Sequence, residues 1–254
     1  MNDYAKTLIK EGHRLDGRKF DELRKPISIE LGVSNKAEGS AKVIWGETIV
    51  LAGIKMAVGE PYPDSQDQGV LITGAELSPM SDPEFLPGPP SPEAIELARV
   101  VDRGIRESKM IDTKKLCIKK GELVWTIFVD IYPVNNDGNL IDAAMLAASV
   151  ALKNAVFPKL EGDRILYGEF TTKKVPLNFV PITCTVIKIG DELIVDPNLE
   201  EWNNLDARLS VSVSEEGNVH AMQKGGDVGI SIEEADKMIG LVIKKSAELR
   251  KLIK

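Results

Sequence analysis

Asn136-Asp137-Gly138-Asn139-Leu140-Ile141-Asp142 is the stretch that decides the fold of this chain. Before it runs Ile127-Phe128-Val129-Asp130-Ile131, an apolar segment of strand character. After it, Ala143 to Phe157 is apolar on nearly every side, as a buried helix is. A strand, a glycine turn and a buried helix put a helix N-terminus where a phosphate sits well, because unpaired N–H groups and the helix dipole converge there. The side chains at that turn decide whether an anion is held, and Asn139, Leu140 and Ile141 supply neither a hydroxyl nor a cation. Asp137 and Asp142 admit two readings. They are remnants of a metal or phosphate site, or Asp137 or Asn139 simply caps the helix.

Upstream, residues 3 to 11 suit a short helix, and Glu11 to Arg18 form a charged, turn-rich segment. Residues 26 to 58 read as strands, with Gly46-Glu47 a tight turn between Ala41–Trp45 and Thr48–Ile54. Another strand follows near Val70-Leu71-Ile72. Six prolines from Pro79 to Pro92 mark an extended connector, since proline fixes φ and donates no backbone hydrogen bond. Within it, Phe85 and Leu86 suggest a segment pinned to something apolar, such as a neighbouring subunit.

Ser91-Pro92-Glu93 then has the cap, first-turn proline and acid that start a helix, expected to reach about Lys109. Ala94, Leu97, Ala98, Val100, Val101 and Ile105 share one side of it, while Arg99, Arg103 and Arg106 span only about 60° of the other. Two readings of this ridge stand. It is a phosphate-contacting surface, or a solvated face with ion pairs such as Asp102–Arg106 and Arg103–Glu107. Arg99 and Arg103 form a like-charged i,i+4 pair, which favours an external anion. Downstream, hairpins are expected around Gly190-Asp191 and a Glu-Glu-Gly-Asn turn, and Ser231 with Glu234 makes a capping box for a last helix.

The 254 residues carry a net charge of −7, with 43% hydrophobic and 28% charged residues. That balance argues against a free-standing nucleic-acid binder, so RNA contact requires a local basic patch or a basic partner. No apolar run approaches the roughly 18–20 residues of a membrane span, and Met1 to Lys6 lacks a signal-peptide core. A cytoplasmic location with no membrane contact is expected. Cys117 and Cys184 read as buried thiols. His13 and His220 have no partners at metal-ligand spacing, so no metal and no cofactor is expected.

Several stretches together resemble the RNase PH family of phosphorolytic 3′→5′ exoribonucleases. They are Arg14-Leu15-Asp16-Gly17-Arg18, Asp21 to Pro26, Glu38-Gly39-Ser40-Ala41 and Gly46 to Ala52. Further on, Glu76-Leu77-Ser78-Pro79, Pro83-Glu84-Phe85, Gly88-Pro89-Pro90, Ile95 to Ser108 and Asp137 to Ala143 are similar to the non-catalytic RNase PH-like subunit of the archaeal exosome. The resemblance runs from about residue 11 to 250. It implies an α+β, RNase PH-like fold of two lobes, each a mixed sheet packed with helices in a ribosomal-protein-like βαβ topology. The lobes are expected at 11–185 and 186–254.

It also implies an assembly: a six-membered ring of three heterodimers with a catalytic RNase PH-like partner, under a cap of RNA-binding subunits. In the family the arginines matching Arg99, Arg103 and Arg106 line the inner chamber and meet single-stranded RNA. Active members hold phosphate with a Gly-Ser/Thr-Arg run, which falls here on Asn139, Leu140 and Ile141. They carry two aspartates six residues apart after an acidic pair. With Glu200-Glu201 as that pair, the positions fall at Trp202 and Arg208. Neither residue can serve as a proton donor at neutral pH. The resemblance thus implies a non-catalytic subunit that structures the ring and its partner's active site during phosphate-dependent RNA degradation. The alternative is an autonomous phosphorolytic exoribonuclease, with Asp206 or Asp142 as the acid.

Overall fold

The computed structural model describes residues 3–253. Helix α1, Asp3–Lys10, precedes strands β1, Ile27–Leu31, β2, Gly39–Trp45, β3, Thr48–Gly59, and β4, Val70–Ala75. Helix α2, Pro92–Glu107, leads to β5, Cys117–Lys119, β6, Leu123–Asn135, and α3, Leu140–Asn154. Then come β7, Val156–Glu161, β8, Arg164–Lys174, β9, Ile182–Ile189, β10, Glu192–Val195, and the short α4, Leu199–Asn203. Strands β11, Ala207–Val213, and β12, Val219–Gly225, are followed by α5, Ile232–Arg250.

Two sheets organise these elements. The first runs β1-β2-β3-β6-β4, with β5 on the end of β6. It is mixed, because β4 lies parallel to β6 while the other pairs are antiparallel. The second is antiparallel in the order β10-β9-β11-β12. It takes in residues on both sides of the expected 185/186 lobe boundary, since β9 begins at Ile182. Helix α3 packs on both β2/β3 and β9, so it lies between the sheets. Every residue from Ile141 to Leu152 is buried, which explains an apolar pattern that goes all round the helix.

The helix expected from Ala143 to Phe157 starts earlier and ends at Asn154. Ala155 turns extended, and Val156 and Phe157 open β7 instead. Pro158 accounts for Phe157, since the α region is disfavoured for the residue before a proline. Helix α2 starts as its sequence demands, with Ser91 Oγ accepting from the Ala94 N–H at 3.3 Å. All six apolar residues of its expected inner face are buried. In the proline connector, Phe85 is half-buried against this chain's own cavity wall, whereas Leu86 is 80% exposed. Cys184 is buried, and Cys117 only half so. No helix among the described residues is long and apolar enough to cross a membrane.

Candidate functional site

The turn between β6 and α3 is held from three sides. Asn136 Oδ1 accepts from the Gly138 N–H at 3.1 Å, and Thr48 Oγ1 accepts from the Asp137 N–H at 3.1 Å and donates to the Gly138 carbonyl at 2.8 Å. Gly138 sits at φ +86°, and a Cβ there would come within 2.4 Å of the Asn198 carbonyl carbon at the start of α4. Only glycine fits this approach. Asn139, next in line, is also left-handed at φ 51° and occupies the N-cap position of α3 without capping it. Its amide instead donates to Asp142 Oδ2 at 2.8 Å and to Asp196 Oδ1 at 2.9 Å. The expectation of an ordinary side-chain cap at Asp137 or Asn139 is therefore corrected: buried carboxylates draw the amide inward.

Asp196 is the hub of this inner layer. Its carboxylate accepts from the Arg24 N–H at 2.6 Å, from Arg24 Nε and Nη2 at 3.2 and 3.0 Å, and from Trp45 Nε1 at 2.9 Å. Arg24 also donates to Thr48 Oγ1, to the Asp137 carbonyl and carboxylate, and to the Gly138 carbonyl. The guanidinium nearest the turn is thus committed to internal acceptors and is buried. A second buried pair, Arg14 with Glu201 at 2.8 and 2.6 Å, ties the N-terminal segment to α4. Glu201 closes the capping box of that helix with Asn198. Arg24 and Arg14 stood out in the sequence only through motif resemblance. Asp196 gave no signal beyond an Asp-Pro-Asn turn.

Outside this layer lies a cavity of about 420 Å³, where the two sequence motifs meet. Asn139, Leu140 and Ile141 line it from the α3 end, and Trp202 and Asn203 from α4. Asp82 and Glu84 from the connector and Glu93 and Glu96 from α2 add carboxylates, while Phe85, Leu97 and Leu199 add apolar wall. No lysine, arginine or histidine lines it among the described residues. Arg208 sits just behind, its guanidinium 5.2 Å from the Trp202 ring centroid and bonded to Glu96. Trp202 and Arg208, the two positions singled out in the sequence, form a cation–π pair.

Magnitudes decide what such a cavity takes. A helix N-terminus offers an anion roughly 0.3–2 kcal/mol. One carboxylate about 4 Å away opposes a unit negative charge by about 4 kcal/mol at an effective dielectric near 20. Asp82 is engaged by the Glu84 N–H and Asn136, and Glu96 by Arg208, but Glu84 and Glu93 are exposed acids on the rim. The charges lining the cavity are all negative, so electrostatically it is a poorer seat for an anion than a bare helix N-terminus. Asp206 lies elsewhere, accepting from the Gly190 N–H at 2.7 Å and from Lys6 Nζ at 3.0 Å. Burial pulls its pKa up, but those two bonds outweigh burial and leave it lowered, hence ionised at neutral pH. Asp206 is not among the residues that line the cavity.

Asp142 behaves differently. It is buried and accepts from Asn139, the Thr185 N–H at 2.7 Å and Thr185 Oγ1 at 2.8 Å. Burial outweighs these bonds and raises its pKa to about 7, with Asp196 adding to the rise. The folded state therefore holds this proton more tightly than the unfolded chain. The stability it contributes is full below the unfolded value, near pH 4, and is lost as pH rises through about 7. Between pH 5 and 8, wild type should lose about 2 kcal/mol relative to Asp142→Asn, measured by urea unfolding at each pH.

On α2, the three arginines have different surroundings. Arg106 is bonded to Asp102 at 2.9 and 3.0 Å and to the Leu71 carbonyl at 3.0 Å, so this ion pair of the solvated-face reading is present. Arg103 makes no pair with Glu107 among the described residues and reaches only Gln223, at 3.4 Å. Arg99 is exposed and lines a groove beside β4 and β6. Two unpaired guanidinium groups therefore stand one helical turn apart, outside the cavity.

Fold and site together define a class. The 3′ exoribonuclease family, domain 1, matches residues 23–158, and domain 2 of the same family matches residues 180–244. The chain belongs to this RNase PH family. It is 47% identical to the exosome complex component Rrp42 of Thermococcus gammatolerans over 258 residues, covering 100% of this chain and 93% of the relative. It is 48% identical to the Rrp42 of Methanosarcina mazei over 252 residues, covering 98% and 92%. Among solved structures, a chain of the Archaeoglobus fulgidus exosome with RNA bound to the active site superposes with a TM-score of 0.91 at 43% identity, covering 99% of this chain and 97% of that one. An archaeal exosome core chain gives 0.86 at 42% identity, covering 99% and 95%.

Proposed function

We propose that this chain is a non-catalytic core subunit of an exosome, acting in the cytoplasm in a ring with a catalytic RNase PH-like partner. The single observation that carries the reading is the cavity: its phosphate turn presents Leu140 and Ile141, its rim is acidic, and its acid positions are Trp202 and Arg208. Phosphorolysis needs a bound phosphate in line with the scissile bond and a group to protonate the leaving oxygen. This cavity supports neither.

What the chain contributes instead is shape and charge. Arg99 and Arg103 would meet RNA phosphates without reading sequence, and Arg106 would hold the ridge in place through Asp102. Six-membered assembly from three heterodimers, and a cap of RNA-binding subunits above it, belong to the same proposal. The test is co-purification with the catalytic partner, followed by phosphate-dependent RNA decay by the partner with and without this chain. The expected result is a stable complex that releases nucleoside diphosphates faster than the partner alone. Equal rates with and without this chain would remove the supporting role.

A further inference from the structure

The cavity at the α3 N-terminus holds a buried acceptor that no donor satisfies among the described residues. Asn139 lines it and is only 1% exposed. Its amide nitrogen is turned to the inner layer, where it donates to Asp142 Oδ2 and Asp196 Oδ1. Those two bonds fix the orientation of the amide, since its nitrogen donates and its oxygen accepts. Oδ1, on the other branch, is buried and has no partner among the described residues. A buried acceptor without a donor costs stability, and a donor arriving from the cavity recovers it.

The rest of the wall defines what that donor is attached to. Phe85, Leu97, Leu140 and Trp202 make an apolar middle, and the exposed carboxylates of Glu84 and Glu93 stand at the rim. Glu93 stays ionised, because its own backbone N–H and the Ser91 hydroxyl pull its pKa below the usual carboxylate range. Arg208, behind Trp202, is bonded to Glu96 and does not line the cavity. At about 420 Å³ the space has the size of a small-molecule site. A metal ion fits it poorly, since the described residues contain no group of three His, Cys, Asp or Glu able to hold one. An ammonium on a methylene chain matches every part: N–H donors for Asn139 Oδ1, carbon for the wall, positive charge for the rim.

We propose that this cavity binds an aliphatic polyamine, with one ammonium donating to Asn139 Oδ1, the methylene chain against Leu97, Leu140 and Trp202, and a second ammonium beside Glu84 and Glu93. The inference rests on the reading of the cavity as one that does not hold phosphate, and gives it a ligand of opposite charge. It does not depend on the ring, because every residue named belongs to this chain.

Spermidine titrated into the full chain by calorimetry tests it, and saturable one-to-one binding is expected. Leu140→Lys, which puts a resident ammonium in the apolar wall, should abolish that binding. Glu84→Gln with Glu93→Gln should weaken it about tenfold. Glu169→Gln with Glu233→Gln, exposed acids that do not line the cavity, should leave it unchanged. Both glutamine pairs sit at exposed positions and should stay close to the wild-type melting temperature. Equal weakening by the two pairs would assign the binding to diffuse attraction by the net charge of −7 and overturn the site. Tighter binding of Nα-acetyl-lysine amide than of spermidine would assign the cavity to a lysine of another protein and overturn the polyamine. No binding by the wild-type chain overturns the proposal and leaves the non-catalytic reading standing. Saturable binding of inorganic phosphate would overturn both.

Discussion

A ring carrying Arg99→Glu and Arg103→Glu is expected to bind single-stranded RNA about 100-fold more weakly than wild type. Each guanidinium is exposed and has no carboxylate partner among the described residues, so each has its donors available to a phosphate. Hydrogen bonds to charged groups are worth about 1.5–3 kcal/mol, so two lost contacts amount to about 3 kcal/mol, or two decades in affinity. The salt dependence should flatten by about one to two in the slope of log K against log salt. Arg106→Glu should do less, because Arg106 is already held by Asp102 and the Leu71 carbonyl. Filter binding across a salt series reads all three effects. Unchanged binding by the double variant would assign the ridge to solvent.

The largest effect on stability belongs to Arg24. Its side chain donates to Asp196, Thr48, Asp137 and Gly138, which joins the β6–α3 turn to the segment after β10. Arg24→Met leaves the buried Asp196 carboxylate with only Arg18 Nη1, at 3.6 Å, as a cation, and removing one partner of a buried pair costs about 3–5 kcal/mol. For a chain of this size the melting temperature should fall by about 10 °C. Adding Asp196→Leu should recover only part of that loss, because Trp45 Nε1 and the Asn139 amide would then lose an acceptor. Urea unfolding of the two single variants and the double variant measures the coupling. A loss below about 1 kcal/mol in Arg24→Met would show that the network does not hold the turn.

The elements with local signals were legible in the sequence. Ser91-Pro92 starts α2, Ser231 with Glu234 starts α5, and the Gly46-Glu47 and Gly190-Asp191 turns join the strands that flank them. The all-round apolar pattern after Asp142 correctly signalled a buried helix, and the structure places it between the two sheets. Its end was misplaced because Val156 and Phe157 continue the apolar run while the backbone turns extended ahead of Pro158. The β7–β8 hairpin was missed for the same reason.

The site was legible in its motifs but not in its electrostatics. Leu140, Ile141, Trp202 and Arg208 were singled out from spacing and resemblance. That the cavity between them would collect Glu84, Glu93 and Glu96 depends on how the connector and α2 fold over α3, and no local pattern encodes it. The hub role of Asp196 arises from contacts between residues far apart in sequence.

The most direct test of the account is a reconstituted ring in which only the partner carries an inactivating substitution at its catalytic acid, while this chain is wild type. The rate of phosphate-dependent nucleoside diphosphate release from RNA is then measured. The account predicts an assembled, RNA-binding ring with release at the level of a protein-free blank. Release above that blank would mean that this chain performs phosphorolysis itself, and would contradict the reading of its cavity.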